Sequence, residues 1–447
     1  MRFSAESVAA ALGLSLADTF PALAFSGVTT DTRRIEPGSL FVALRGARFD
    51  GHDFVTQARE QGAAAALVET PCDDALPQIV CADTRLALGL LGRARRACFH
   101  YPLVAVTGNS GKTTVKEMLA ALLAPLGPVL ATQGNLNNDY GAPLTLLRLE
   151  EEHRAAVVEL GANHLGEIAW TSRLAAPDVA IITNVTGAHV GEFGGLGQIA
   201  QAKSEILQGL APTATAVLNA EDRYFATWAA LAPCKVVSYG VDREADVCAR
   251  ALSCDRQGRY AFTLVQEGVA LGEVRLALAG RHNVSNALAA AAAALAVGVD
   301  ARAVMTGLGD FAPLSGRLSV LDGPNGSTIL DDTYNANPGA MKVALETLSR
   351  FPGPHWCALG AMGELGEKSE ALHADVGRYA QTLGVDTLLT CGDAARATSA
   401  AFGRGHHFDD HETLARHLIN TLPPGATLLV KGSRSAGMER VIAALLG

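Results

Sequence analysis

The sequence lacks the features of a membrane protein, a disulfide-rich protein or a nucleic-acid-binding protein. Its eight cysteines form no C-x-x-C pair, which favours free thiols in a reducing cytoplasm over a metal or disulfide framework. No uncharged apolar run is long enough to cross a bilayer, and the alanine-rich stretch 287–299 is too short to do so. The formal net charge of −9 argues against nucleic acid as a partner. The N-terminal residues lack the basic and apolar parts of a signal peptide and predict an amphipathic helix.

The residues that are present predict a globular α/β protein of three domains. Hydrophobic residues make up 49% of the 447-residue chain, and a chain of this length exceeds one ordinary core. Residues 1–98 mix short strands and helices. In 99–312, apolar runs followed by helical periods predict a parallel sheet covered on both faces, with an antiparallel part around 260–278. Residues 313–447 alternate again, which predicts a Rossmann-like, doubly wound sheet.

The stretch VAVTGNSGKTTVKEML predicts a nucleotide-binding loop, although its spacing departs from the usual one. In the standard motif the first glycine stands five residues before the second, and here Val106 occupies that position. The stretch nevertheless follows an apolar strand and precedes a helix. The backbone N–H groups around Gly108 and Gly111 can turn toward a phosphate, which Lys112 can reach from the helix N-terminus. The hydroxyl of Thr113 is available to Mg²⁺.

Other motifs, in order along the chain, resemble those of the Mur ligase superfamily. T-G-x-x-G-K-T-T is that superfamily's form of the loop, and it is followed by VVELGANHLGEI, NVTGAHVGEFG, QAKSEI, GRHNVSNALAA, PLSGR and DDTYNANP. The chain is identified as a member of that superfamily, and the resemblance covers essentially its whole length. The central domain is therefore expected to be a P-loop ATPase domain.

Further segments resemble the branch that adds D-alanyl-D-alanine to UDP-N-acetylmuramoyl-tripeptide (UDP-MurNAc-tripeptide). These segments are TDTRRIEPGSLFVALRGARFDGHDF, GNLNNDYGAPLTLL, ALGAMGELGE and VKGSRSAGMERV, and the third has Ala361 where Asp is common. The resemblance implies a cytoplasmic, monomeric enzyme of peptidoglycan precursor synthesis that acts on small molecules. It would use ATP to form an acyl phosphate, which the dipeptide amine attacks to give UDP-MurNAc-pentapeptide, ADP and phosphate.

The resemblance also implies two Mg²⁺ sites and an ATP site. Thr113 and Glu159 would hold one Mg²⁺, and His189 and Lys203 the other. Because an ammonium cannot ligate a metal, Lys203 is expected to carry a carbamate, with an exposed helical lysine as the alternative. The ATP contacts implied are Gly108, Asn109, Ser110, Gly111, Lys112, Thr113, Thr114, His282, Asn283, Asn286, Arg317 and Asp332. For the two asparagines of the GRHNVSN motif, capping of the following helix is the alternative.

Catalytic roles are implied for Lys112, Lys203, His189 and Arg317. Residues 1–98 would bind UDP-MurNAc-tripeptide, 99–312 would bind ATP, and 313–447 would bind the dipeptide and close over the nucleotide. The candidate substrate contacts are Thr32, Arg33, Ala47, Arg48, Phe49, Asn137, Asn138, Lys431 and Arg434. Each of these can instead be a capping or turn residue, as polar loop residues commonly are.

Three other functions fit parts of the sequence. A folylpolyglutamate synthase shares the Mur-type core but is expected to lack a UDP-binding first domain. A non-catalytic regulator on the same scaffold is expected to have lost ligands, whereas Lys112, Glu159 and the other motif residues are all present. A P-loop GTPase is disfavoured because no guanine-recognition motif of the N-K-x-D type is evident.

Overall fold

The computed structural model describes residues 3–15, 23–46, 49–185 and 195–447. Over these residues the strands form a two-stranded pair and three larger sheets of four, nine and six strands. Within the same ranges, no helix has both the length and the apolar character needed to cross a bilayer. The α/β class predicted from the sequence is confirmed.

Within its described residues, the N-terminal part contains one antiparallel strand pair, one parallel sheet and three α-helices. They are β1 (Phe3–Ser4), α1 (Ala5–Leu12), β2 (Ala24–Phe25), β3 (Val28–Thr29), β4 (Leu40–Val42), α2 (Val55–Glu60), β5 (Ala65–Val68), β6 (Gln78–Val80) and α3 (Thr84–Ala97). The parallel sheet has the order β3-β4-β5-β6, and β1 pairs with β2. Helix α1 begins at a capping box, in which the Ser4 hydroxyl accepts from the Ser7 N–H, and ends at the left-handed Gly13. The predicted N-terminal helix is present but short.

The central part is built on the nine-stranded sheet. Its strands are β7 (Leu103–Thr107), β8 (Val129–Ala131), β9 (Ala155–Glu159), β10 (Val179–Ile182), β11 (Thr215–Asn219), β12 (Lys235–Gly240), β13 (Val247–Cys254), β14 (Arg259–Gln266) and β15 (Val269–Ala279). Its helices are α4 (Lys112–Leu123), α5 (Gly141–Leu147), α6 (Glu167–Ala175), α7 (Leu196–Ser204), α8 (Phe225–Leu231), α9 (His282–Ala296) and α10 (Ala301–Asp310). The strand order is β15-β14-β13-β12-β11-β10-β7-β9-β8.

The central strands are apolar because both faces of their sheet are covered. In β7, Val104 and Val106 pack into one hydrophobic core, whereas Leu103 and Ala105 pack into another on the opposite face. The antiparallel part predicted near residue 260 corresponds to β13, β14 and β15. Helix α9 ends just before the left-handed Gly298, as its sequence predicts.

The third part is built on the six-stranded sheet, in which β16 is antiparallel to β17 and the other pairs are parallel. Its elements are β16 (Ser319–Asp322), β17 (Thr328–Asp332), α11 (Pro338–Leu348), β18 (His355–Gly360), α12 (Ser369–Thr382), β19 (Thr387–Cys391), α13 (Arg396–Phe402), β20 (His406–Phe408), α14 (His411–Thr421), β21 (Thr427–Lys431) and α15 (Glu439–Leu446). The strand order is β16-β17-β21-β18-β19-β20. Separate hydrophobic cores cover the two faces, as the doubly wound prediction requires.

The chain changes direction in the central sheet at β7. From β7 it continues to β8 and returns to β9 on one side, and then crosses to β10 on the other side. Ligands of open α/β sheets bind outside the carboxyl ends of the strands at such a switch point. The loop that follows β7 is the nucleotide-binding loop predicted from the sequence.

Candidate nucleotide and ligase site

The loop between β7 and α4 depends on two glycines. Gly108 has φ +143° and Gly111 has φ +82°, in the region where side chains are rarely tolerated. A Cβ at Gly108 would collide with the Thr183 hydroxyl, and one at Gly111 with the amide oxygen of Asn286. The variant spacing therefore still gives a tight turn into the N-terminus of α4, which begins at Lys112.

Residues after β10 brace this loop, and sequence reasoning missed them. The Asn184 carbonyl accepts from the Asn109 N–H at 3.0 Å, and the Asn184 amide oxygen accepts from the Ser110 N–H at 3.0 Å. The Thr183 hydroxyl donates to the Ser110 carbonyl at 2.7 Å. Asn184 also lines a cavity of about 590 Å³ with Asp222 and other polar residues. In the sequence, only their position as a polar pair directly after the apolar strand β10 could have indicated this role.

Lys112 is turned back onto its own loop. Its ammonium donates to the Gly108 carbonyl at 2.8 Å. Burial lowers the pKa of Lys112, while the nearby Glu159 carboxylate opposes that change and Arg317 of the third part adds to it. The lysine is thus held beside the backbone N–H groups that would face a phosphate. Thr114, in the first turn of α4, is buried.

Thr113 and Glu159 meet, as the metal-site prediction requires. The Thr113 hydroxyl donates to one oxygen of Glu159 at 2.9 Å, and the Asn137 amide donates to the other oxygen at 2.9 Å. Glu159 is only 3% exposed, and the Thr132 hydroxyl accepts from its N–H at 3.0 Å. Asn137, predicted on the muramoyl-peptide side, is therefore placed next to this carboxylate.

Lys203 lies in a buried position near several acids. It is 3% exposed, so the alternative of an exposed helical lysine does not hold. Burial, followed by the charge of Lys112, lowers the pKa of Lys203 to about 7, while Glu205, Glu167 and Glu159 act in the opposite direction. His189, its predicted partner, lies outside the described residues.

The GRHNVSN segment forms the first turn of α9 and lies against the nucleotide-binding loop, where Asn286 is close to Gly111. The Asn286 amide donates to the Asn283 amide oxygen at 2.9 Å, and the Asn283 amide donates to the Ala279 carbonyl at 2.8 Å. The capping alternative does not hold, because Arg281 is the N-cap and no side-chain cap is formed. Burial, followed by the charge of Lys431, lowers the pKa of His282 to about 4.

Arg317 and Asp332 both stand at the edge of the third part that faces the central part. The Arg317 guanidinium lies 4.1 Å from the centre of the Tyr334 ring. Asp332 ends β17, and its carboxylate accepts from the Lys431 ammonium at 2.5 Å. The sequence suggested that Lys431 contacts the dipeptide. With 2% exposure, however, Lys431 does not lie on a surface where it could meet one.

The remaining substrate candidates are more exposed. Thr32 donates its hydroxyl to Gln57 at 3.1 Å, Arg33 pairs with Asp31 at 2.8 Å, and Phe49 is 72% exposed. The Asn138 side chain accepts from the Gly141 N–H at 2.9 Å, which is a turn role.

Two predicted UDP contacts, Ala47 and Arg48, lie outside the described residues. Arg434 is an exposed residue in the loop after β21 and lies 3.4 Å from Glu439.

Glu364 was not among the predicted residues. It has φ +60°, in the left-handed region that glycine usually occupies. Its charge is one of those that act on Lys112, so the loop after β18 faces the nucleotide-binding loop. Only its place in the ALGAMGELGE segment could have indicated this.

Models of three protein domains match the chain. The Mur ligase family, catalytic domain matches residues 24–122, the Mur ligase middle domain matches 106–294, and the Mur ligase, glutamate ligase domain matches 316–434. The UDP-N-acetylmuramoyl-tripeptide--D-alanyl-D-alanine ligase of Escherichia coli (strain K12) is 44% identical over 427 residues, which are 95% of this chain and 94% of that protein.

Solved structures agree with these matches. The crystal structure of MurF from Acinetobacter baumannii has a TM-score of 0.94 at 39% identity and covers 100% of this chain and 99% of its own. MurF ligase from Thermotoga maritima in complex with ADP has a TM-score of 0.85 at 29% identity, covering 94% and 96%. Folylpolyglutamate synthase from Mycobacterium tuberculosis is 18% identical with a TM-score of 0.65 over 81% of this chain, so it shares the fold alone. The chain belongs to the Mur ligase family.

Proposed function

We propose that the chain is an ATP-dependent ligase that joins D-alanyl-D-alanine to UDP-MurNAc-tripeptide. The products are UDP-MurNAc-pentapeptide, ADP and phosphate, in a step of peptidoglycan precursor synthesis. The observation that carries this proposal is the 44% identity to a curated ligase of that activity over 95% of the chain. The nucleotide-binding loop at the sheet switch point supports the use of ATP, as does the ADP complex of a structural relative.

The reaction needs a leaving group better than oxide on the tripeptide carboxylate. The carboxylate oxygen attacks the γ-phosphorus of ATP, ADP leaves, and an acyl phosphate forms. The dipeptide amine then attacks the acyl carbon, loses a proton and expels phosphate. Such phosphoryl transfer is mainly positioning and charge neutralisation. Lys112 of the central part and Arg317 of the third part are the cations proposed to hold the transferred phosphoryl group.

Thr113 and Glu159 would hold one Mg²⁺, and His189 and Lys203 a second. The oxygens of Thr113 and Glu159 lie 2.9 Å apart, and a hydroxyl with a carboxylate is an oxygen donor set that suits Mg²⁺. When bound, Mg²⁺ neutralises phosphate charge.

Replacing Thr113 by Ala should raise the Mg²⁺ concentration needed for nucleotide binding, while Thr113→Ser should leave that concentration unchanged. Calorimetric titration at several Mg²⁺ concentrations measures this, and equal requirements for both variants would count against the site.

Lys203 is proposed to carry a carbamate. A buried amine that is partly neutral can react with CO₂, forming an N–C bond and releasing a proton, and the product supplies the anionic oxygens that an ammonium lacks. Its burial and the nearby charge of Lys112, which lower the pKa of the amine to about 7, support this role.

The substrates are proposed to bind across three domains, which comprise residues 1–98, 99–312 and 313–447. The first would bind the UDP end through residues that include Thr32, Arg33 and Phe49, together with 47–48. Asn137 and Asn138 would lie on the peptide side, and Arg434 would contact the dipeptide. His282, Asn283 and Asn286 would contact adenine, and Asp332 the ribose. We also propose a cytoplasmic monomer, in keeping with the use of ATP and a nucleotide-linked precursor.

Phosphate release from ATP tests the function. Purified protein is given UDP-MurNAc-tripeptide and D-alanyl-D-alanine, and each component is omitted in turn. Release that needs all components, with a UDP-linked pentapeptide as product, is the expected result. Release with a single amino acid instead of the dipeptide would assign the chain to an earlier ligation. ATP binding without release would favour the non-catalytic regulator.

A further inference from the structure

Among the residues that the structure describes, all hydrogen-bond acceptors of the Lys431 ammonium lie in the third part. It donates to the Asp332 carboxylate at 2.5 Å, to the Asn335 carbonyl at 2.8 Å and, more weakly, to the Asp332 carbonyl at 3.4 Å. An ammonium has three N–H donors, so these three acceptors use them all. With 2% exposure, the side chain has neither surface nor a donor to offer to a substrate.

Lys431 also lies at the end of its strand, next to the ends of β17 and β18, where the loops of the site begin. It ends β21 directly opposite Asp332 of β17, and on its other side it is paired with Leu359 of β18. The loop that follows β21 is tied to the loop that follows β18, because the Ser433 N–H donates to the Ala361 carbonyl at 2.8 Å. The lysine thus lies beside the proposed ribose contact and is the first residue of the KGSRS segment.

The charge of Lys431 acts on two groups that are proposed to contact the nucleotide. Burial raises the pKa of the Asp332 carboxyl, and Lys431 is the strongest influence against that rise, followed by Arg317. The same ammonium adds to the effect of burial in lowering the pKa of His282. Without Lys431, the Asp332 carboxyl would be driven toward its protonated form and would lose the partner that fixes its orientation.

We propose that Lys431 is a positioning residue for the nucleotide, which holds Asp332 ionised and correctly oriented, and that it does not bind the dipeptide. This inference rests on the proposed function, because the ribose contact of Asp332 is part of it. Burial is the larger cause of the low pKa of His282, so this ring is expected to stay neutral without Lys431, and the influence of Lys431 on the nucleotide runs through Asp332. That influence must therefore vanish once the Asp332 carboxylate is gone. That requirement separates positioning from direct contact.

Calorimetric affinities for Mg–ADP in a double-mutant cycle test the proposal. The variants are Lys431→Met, Asp332→Asn and the double variant, with the exposed Lys368→Met as control. We expect Lys431→Met to weaken Mg–ADP binding by about tenfold or more, the range for losing a hydrogen bond to a charged group. The double variant should bind as Asp332→Asn alone does, and Lys368→Met as the wild type does. The double variant contains neither buried charge, and in Asp332→Asn the Lys431 ammonium keeps the backbone carbonyls of residues 332 and 335 as acceptors, so this comparison survives if Lys431→Met alone fails to fold.

Steady-state phosphate release completes the test. At saturating ATP, the KM for D-alanyl-D-alanine of Lys431→Met should stay within about twofold of the wild type. Unchanged Mg–ADP affinity with a raised dipeptide KM would overturn the proposal, and so would additive losses in the double variant. If the wild type released no dipeptide-dependent phosphate, the proposed function would fail, while the Mg–ADP affinities would still decide the role of Lys431.

Discussion

At the scale of single residues, the site is held together by contacts between residues that lie far apart in the sequence. The Thr113 hydroxyl donates to the carboxylate of Glu159, 46 positions later, at 2.9 Å. The direction in which a long side chain turns is not encoded locally. The KGSRS segment alone suggested that Lys431 contacts the dipeptide, whereas its ammonium is turned inward to Asp332, which lies 99 positions earlier and ends the adjacent strand.

Lys203 provides a prediction at this scale. Protein equilibrated with ¹³C-labelled bicarbonate should show a carbamate carbon signal by NMR, because burial lowers the pKa of this amine to about 7 and leaves a large neutral fraction near neutral pH. Lys203→Met should lose the signal. The matched control is Lys342→Met, which removes a lysine of α11 that is paired with Asp375. A signal that persists in Lys203→Met would assign the carbamate elsewhere or reject it.

Glu364 provides a second prediction, because its backbone is strained. A non-glycine residue in the left-handed region costs about 1–2 kcal/mol, so Glu364→Gly should stabilise the protein slightly, by up to about 1 kcal/mol after the added flexibility of the unfolded chain. Its carboxylate acts on Lys112, and its loss should lower kcat by about tenfold or more. Thermal melting and steady-state rates measure the two effects.

Glu267 offers the matched control for that substitution. It is an exposed glutamate with φ +47° in the turn between β14 and β15. Glu267→Gly should give a similar gain in stability with an unchanged rate. Equal rates for both variants would show that the strain at Glu364 serves no catalytic purpose.

At the scale of elements, the long, regularly patterned segments were predictable and the short ones were not. The strands of the central sheet have apolar runs because both faces are buried, and that pattern is visible without the fold. The edge strand β20 has only three residues, His406–Phe408, and no apolar pattern distinguishes it from a loop. The bracing of the nucleotide-binding loop by Asn184 depends on β10 lying beside β7, which is a property of the strand order.

Helix α9 carries the prediction at the element scale. Its alanines allow it to lie close to α4 and to the central sheet, and Ala290 is fully buried in that core. Ala290→Leu should lower stability by about 1–3 kcal/mol, since there is no room for three extra carbons. Ala296→Leu, at an exposed position near the end of the same helix, should change it little. Melting temperatures measure both, and similar values for the two variants would contradict the close packing.

At the scale of the whole molecule, the nucleotide site requires that the second and third domains meet. Lys112 belongs to the central part, whereas Arg317 and Glu364, whose charges act on it, belong to the third. The two parts also touch directly. The Arg350 guanidinium donates to the hydroxyl of the buried Tyr260, and the Phe351 ring packs so close to Gly258 that no side chain fits there.

Tyr260→Phe tests the importance of that contact. It keeps the ring and removes the hydrogen bond between domains, which is worth about 1.5–3 kcal/mol when one partner is charged, together with a contact of the hydroxyl with the Cys254 side chain. Amide hydrogen exchange should therefore become faster on both sides, in residues 254–260 and 347–351, and Mg–ADP affinity should fall by up to about tenfold because the two halves of its site are held together less firmly. The matched control is Tyr379→Phe, which removes a hydrogen bond of 2.6 Å to Glu346 within the third domain and should change exchange only around α11 and α12. Unchanged exchange at 347–351 in Tyr260→Phe would mean that the domains are held together by other contacts, such as the packing of Ala279 into the core of the third domain.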